Sequence, residues 1–462
     1  MAAAPNPFDY FEYPHTDSGT GARVRVGAHW AARAPQSPSD GFDLKLLPRS
    51  PTWRDEPAAL DALARVEREP WVERIDCVND GVELHLDNRW LEAVGAELQA
   101  GDSRDEPLSE LARGQRFSVQ FGDVDAGEVL HVGHLRNLAL GNALAAALEQ
   151  AGAQVERRSL ILDELPAPHG VGDDRVSARE RTLQRLAIAF DKVFLASDYR
   201  GAAAKLSARA RALGLQPLST HMSAVAYWMA APGLHGRTTV HICGEEWISQ
   251  VASGHELIGR LTANGHPLAE DDSESHSTHE VFYGPVSIGE LGLASREQSE
   301  QGEQSELTID ELCEWIEAEI DPDPRGERAR ARFGSAQRIA AQVALAYPLA
   351  RPARQRVNLF AEKLLRARES PGWDLVCART HTGGAPKPSG ALARDPDYRF
   401  AVVQSELHRQ QLRLAVERLD PGPLARHVIA LARWYLRRDR SDAVARVVHT
   451  ALDRGARGLG LE

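Results

Sequence analysis

Cysteine and lysine are both scarce in this 462-residue chain. The four cysteines, Cys77, Cys243, Cys313 and Cys377, are scattered and form no CxxC pair. That spacing argues against a disulfide framework or a structural zinc site and for reduced thiols. Lys45, Lys192, Lys205, Lys363 and Lys387 are the only lysines, so arginine carries nearly all of the positive charge. Heavy use of Ala and Arg with little Lys is most simply the codon bias of a GC-rich genome. Nothing in the sequence is long and apolar enough for a membrane span. The start, Met1-Ala2-Ala3-Ala4-Pro5-Asn6-Pro7, has neither the basic nor the apolar region of a signal peptide. A cytoplasmic protein with no membrane partner is expected. With 43% hydrophobic and 26% charged residues, the chain reads as an ordinary soluble protein of two or three domains. The net charge of −12 does not exclude nucleic acid, which is bound by local basic patches.

What is present centres on Leu130-His131-Val132-Gly133-His134-Leu135-Arg136. Phe117 to Phe121 alternates apolar and polar residues, as a strand does. Leu135, Leu138, Leu144, Ala147 and Leu148 then fall at helical spacing, Ala151-Gly152 ends the helix, and Gln154-Val155 opens the next extended segment. Strand, loop, helix, strand is the unit of a parallel α/β sheet. Glycine at a helix start lets a ligand approach the backbone, and the helix N-terminus offers N–H groups to phosphate. The same four residues also suit a plain helix-capping turn with two exposed histidines.

His131-Val132-Gly133-His134 resembles the HIGH motif of class I aminoacyl-tRNA synthetases. With its flanks, including Gly141, Ala143 and Leu144, it is similar to arginyl-tRNA synthetases in particular. The resemblance implies ATP, with Mg²⁺, held by His131, Gly133, His134 and Arg136. It implies an amino-acid pocket drawing on Asp125, Asp163 and Glu246, and tRNA as the partner rather than DNA. Thr238 to Gly244 reads as a later buried strand, followed by Glu245, Glu246 and Gln250 and a helix from Trp247 to Leu261. Glu280 to Val286 resembles the strand before the family's signature loop. No resident metal site is expected, because Asp125 and Glu128 read as solvated carboxylates.

The family's cations are missing. No lysine occurs between Lys205 and Lys363, where a KMSK-type loop belongs; Leu293 to Ser299 offers Arg296 among Glu297, Glu300 and Glu303. Some members use a lysine three residues before the first histidine, in the pattern Ser-Pro-Asn-x-x-Lys. Here Asp123-Val124-Asp125-Ala126-Gly127-Glu128 puts Glu128 in place of that lysine. A carboxylate repels a phosphate by roughly 1 kcal/mol or more at ~4 Å. The family's His-Val-Gly-Asp-Trp-Gly is replaced by Ile161 to Gly170, without the tryptophan; Asp163 or Glu164 remains to pair a guanidinium.

Three segments are expected. Residues 1–105 read as a small α+β appendage, with a helix over Leu60 to Val66 and two strands, Val72 to Val78 and Gly81 to Leu86, around an Asn79-Asp80-Gly81 turn. Residues 106–330 form the class I synthetase-like α/β domain with its parallel sheet, and residues 294–306 are a polar acidic loop. Residues 331–462 form an all-α bundle resembling the anticodon-binding (DALR) domain. Its helices are placed at Ala336 to Ala346, Val357 to Arg368, Phe400 to Leu419, Leu424 to Tyr435 and Val444 to Leu452. Arg379, Arg426, Arg433, Trp434 and Arg437 are candidate tRNA contacts. Four readings stand: a tRNA-binding paralogue with weakened or redirected adenylation, a working arginine–tRNA ligase using Arg296 or Arg136, a small-molecule amino-acid ligase, and a scaffold. The bundle favours a tRNA partner.

Overall fold

The structure, a computed structural model, describes residues 30–33, 35, 37–100, 109–125, 128–163, 173–214, 237–263, 277–288, 307–320, 323–360, 363–366, 369–380, 392–437 and 440–462. The contacts divide the chain into two compact units. Unit 1 comprises Met1–Glu106, His381–Arg413 and Ala430–Gly455; unit 2 comprises Pro107–Thr380, Leu414–Ile429 and Ala456–Glu462. The stretch expected to be a separate bundle is therefore shared between the two.

In unit 1, strands β1 (Trp30–Arg33), β2 (Leu44–Pro48), β3 (Val72–Val78) and β4 (Gly81–Leu86) form an antiparallel sheet in the order β1-β2-β4-β3. Alternation turns Leu44 and Leu46 of β2, with Val82, Leu84 and Leu86 of β4, into the core. Helix α1 (Pro57–Glu67) buries Ala59, Ala62, Leu63 and Val66, and α2 (Asn88–Ala100) buries Trp90, Leu91, Val94 and Leu98. Trp30 meets Trp53 edge to face at 4.7 Å and donates its indole N–H to Ala59 O.

Arg399 fastens this sheet to the later helix α11 (Pro396–Arg418). Its Nε donates to Asp43 Oδ1 at 3.1 Å, Nη1 to Asn88 Oδ1 and Ala393 O, and Nη2 to Asp43 Oδ2 and Leu86 O. All five guanidinium donors are spent. Asp43, itself buried, also accepts the Leu86 N–H. Close by, Gly95 of α2 lies flush against Tyr398, whose hydroxyl accepts from Gln99.

Unit 2 is built on a parallel sheet. Its strands are β5 (Arg116–Gln120), β6 (Val124–Asp125), β7 (Gln154–Leu162), β8 (Lys192–Leu195), β9 (Thr238–Gly244) and β10 (Ser277–Tyr283). Every pairing among them is parallel. β5 lies between β7 and β9, β8 pairs β7, and β10 pairs β9; β6 meets β7 beyond the end of β5. The chain thus winds outward from β5 through β7 to β8, then returns to β9 and β10 on the other side. The winding reverses between β5 and β9, where ligands of such sheets gather.

Helix α3 (Val132–Gln150) follows β6, and every residue from Leu135 to Leu148 is buried. It packs against β5, β7, β9 and the later helices α7 (Ile309–Ile320) and α9 (Ala336–Leu349). Gly141 is needed there: a Cβ would lie 2.1 Å from Phe121 Cγ. Helix α10 (Pro371–Arg379), capped by Ser370, packs on α9, so this part of the expected bundle belongs to the sheet's unit. One helix is corrected. Val357 to Leu359 is a strand, β12, paired in parallel with β11 (Val286–Ile288). The helices α12 (Gly422–Tyr435) and α13 (Asp442–Gly458) close the chain. Among the described residues no helix is long and apolar enough to cross a membrane. The acidic loop expected at 294–306 lies outside the described residues.

Arg399→Ala would leave Asp43 buried without its counter-ion. It is expected to destabilise unit 1 by about 3–5 kcal/mol. Hydrogen exchange checks this: protection of β4 amides should fall while that of α3 amides persists.

Candidate functional site

The site sits where β5 and β9 end and α3 begins. Asn137 ties these together: its Nδ2 donates to Ile242 O on β9, and its Oδ1 accepts the Gly122 N–H just after β5. Gly122 has φ +69°, and a Cβ there would meet the Phe190 ring at 2.8 Å, so this turn takes glycine.

His131 is the N-cap of α3. Its Nδ1 accepts the Gly133 N–H at 3.1 Å, and His134 Nδ1 accepts the His131 N–H at 3.3 Å. The helix-capping geometry is therefore present, a capping box made from two imidazoles. Gly133 is required because a Cβ would press on the His131 ring at 2.6 Å. The other early amides are spent as well. Val132 N–H donates to Leu307 O and His134 N–H to His131 O. Leu130 to Val132 is held in antiparallel pairing by the segment before α7, with Ile309 N–H donating to Leu130 O.

Glu128 reaches into this turn. Its Oε1 lies 3.3 Å from His131 Nε2 and 3.6 Å from His134 Nε2, and the two rings are 4.0 Å apart. The hydrogen bond from His131 and the nearby His134 hold the carboxyl below its usual range. Donor atoms of Glu128, His131 and His134 all fall within 4.8 Å, the spacing of a metal-ligand trio. The cap weighs against a cation. An Nδ1 that accepts a main-chain N–H leaves the proton of the neutral ring on Nε2, the atom a metal would need.

Arg136, expected at the phosphates, is fully buried. It donates to the carbonyls of Gly284, Gln355 and Pro352 and is a structural clamp. Burial lowers its pKa to about 10. Asp125, Asp163 and Glu246 each stand at or just past the C-terminal end of a strand: β6, β7 and β9. Asp163 is already engaged, since its two oxygens accept Ser197 N–H at 2.7 Å and Ser197 Oγ at 2.5 Å. It caps the turn Ala196–Tyr199 rather than a guanidinium. Asp125 and Glu246 are exposed. Glu164 and Arg296 lie outside the described residues.

Two of the RNA candidates are corrected. Arg379 is buried, donates to Gln342 Oε1 and Leu461 O, and lies over the Phe333 ring. Trp434 is buried against Phe400 at 4.5 Å and is covered by Arg440, so it presents no face for a base. Arg426 and Arg437 are exposed and Arg433 is half-buried.

Alternation marked Ser118 and Gln120 as polar, but not that they lie buried beside polar residues of the neighbouring strand. Ser118 pairs with Thr239 in register and Gln120 with His241, and all four are buried. Among the described residues, Ser118 Oγ, Thr239 Oγ1 and Gln120 Oε1 have no hydrogen-bond partner. Gln120 Nε2 donates to Asp123 Oδ2 at 2.5 Å, and Asp123 Oδ1 accepts the Leu160 N–H.

No family model matches the chain. An arginine–tRNA ligase of Anoxybacillus flavithermus is 34% identical over 123 residues, 26% of this chain and 21% of that protein. One from Paracoccus denitrificans is 35% identical over 102 residues, 22% of this chain and 17% of the relative. In structure, the arginyl-tRNA synthetase of Thermus thermophilus matches with a TM-score of 0.61 over 94% of each chain, at 16% identity. That of Plasmodium falciparum gives 0.60 over 94% and 93%, at 9% identity. Over those segments the chain is similar in sequence to arginine–tRNA ligases. The sequence matches span about a fifth of those curated relatives' length; the structural likeness is one of fold. The resemblance at the HIGH turn is thus accompanied by the expected parallel sheet.

Burial pushes the Asp123 pKa up to about 6, with the Leu160 N–H opposing. Between about pH 6 and 4 the folded chain takes up a proton that the unfolded chain does not, so this residue's contribution to stability rises as pH falls. Asp123→Asn should raise stability at pH 7 by about 1–3 kcal/mol, with Gln120 turning its amide to accept from the new Nδ2. The gain over the parent chain should vanish near pH 4 in denaturant titrations.

Proposed function

We propose that this protein binds tRNA as a relative of the arginyl-tRNA synthetases and no longer activates an amino acid. The observation that carries the reading is that donors at the HIGH turn are spent on the protein itself. The amides of Val132, Gly133 and His134 have internal acceptors, Arg136 holds three carbonyls, and both histidines face Glu128. Activation needs preorganised positive charge along the ATP phosphates. ATP with Mg²⁺ therefore fits these residues poorly, and we assign no step to it. A working ligase through Arg136 is disfavoured by that residue's burial.

The relationship supports tRNA as the partner. Exposed Arg426 and Arg437, with half-buried Arg433, are the described candidates for phosphate contact. A cytoplasmic location accords with that partner.

ATP–pyrophosphate exchange with each amino acid, with and without total tRNA, should show no turnover, while filter binding shows salt-sensitive tRNA capture. Exchange with arginine on adding tRNA would sink the reading. Arg426→Ala with Arg437→Ala should weaken capture several-fold and reduce the slope of log affinity against log salt by about 2. Unchanged affinity would remove these arginines from the interface.

A further inference from the structure

We propose that Glu128 is a built-in plug, a carboxylate seated on the His131 and His134 Nε2 groups, whose removal uncovers an anion-binding site at this turn. The inference deepens the reading above and rests on it. Both imidazoles are held by the backbone: each Nδ1 accepts a main-chain N–H, so each neutral ring turns an Nε2–H donor outward. The two rings stand 4.0 Å apart, and one carboxylate oxygen faces both donors at 3.3 and 3.6 Å. The seat is also the N-terminal end of the 19-residue α3, where the helix field favours negative charge.

The plug is local and replaceable. Glu128 is attached three residues before His131, and its N–H donates to Asp125 O at 3.0 Å. The plug therefore competes as an intramolecular ligand, at an effective concentration that a free anion must overcome. The cap that orients the histidines does not include Glu128: its bonds run among His131, Gly133 and His134. Removing the carboxylate should leave the donor pair in place.

The test titrates inorganic tripolyphosphate into the full-length chain by calorimetry, comparing the parent with Glu128→Ala and Glu128→Gln. The alanine variant should bind at least tenfold tighter than the parent. The glutamine variant, which keeps an acceptor but loses the charge, should fall between. Adding His134→Ala to the alanine variant should abolish the gain, with circular dichroism confirming the fold. Equal binding by parent and Glu128→Ala, or no gain in a folded Glu128→Ala, would overturn the proposal. So would zinc binding by the parent that Glu128→Ala loses, which would make the trio a cation site. Long-range ¹H–¹⁵N spectra of the parent supply a ligand-free check: both rings should carry the proton on Nε2, and a proton on Nδ1 of either would refute the plug. None of these readouts uses tRNA or pyrophosphate exchange, so failure here is distinct from failure of the proposed function.

Discussion

A guanidinium removed from water must spend its donors on the protein, and unit 2 is organised round one that does. Arg136 projects from the buried helix α3 to the carbonyls of Gly284, Pro352 and Gln355. Those carbonyls lie next to β11 and β12, the two short strands that pair with each other. One side chain thus ties the first crossover helix to segments more than 140 positions later. Among the described residues its Nε has no acceptor, so the clamp is strong but incompletely satisfied. The same commitment keeps the Arg136 guanidinium in the core.

The contrast with Glu128 is instructive. Arg136 is buried and bonded to main chain, so it cannot be recruited without unfolding what it holds. Glu128 is a short-range contact at a partly open turn. Of the two side chains, one is built into the core and the other sits at the rim of the turn.

Local pattern was legible; pairing and burial were not. Val72 to Val78, Gly81 to Leu86 and Thr238 to Gly244 matched β3, β4 and β9 to the residue, because alternation or an apolar run bounded by turn residues is a local signal. β1 and β2 were hidden among Pro, Ser and Asp, and β12 was read as helix because its partner β11 lies about 70 residues earlier. The histidine turn was legible as a cap and as a site. What the spacing did not reveal was that Arg136, Arg379 and Trp434 point inward. An arginine or tryptophan at helical spacing looks alike whether it faces solvent, a carbonyl or another ring. Glu128 carries the wrong charge in sequence, but its seat between two imidazoles is set by the turn that caps α3.

The stitching of unit 1 from three stretches has a consequence for synthesis. Asp43 and its partner Arg399 are 356 positions apart. At ribosomal rates of about 5–20 residues per second, the N-terminal sheet waits roughly 20–70 s for the guanidinium that neutralises it. During that interval β1 to β4 have α1 and α2 beside them but not α11, and unit 2 is made in between. The sheet is therefore made before most of unit 2 and completed only after it.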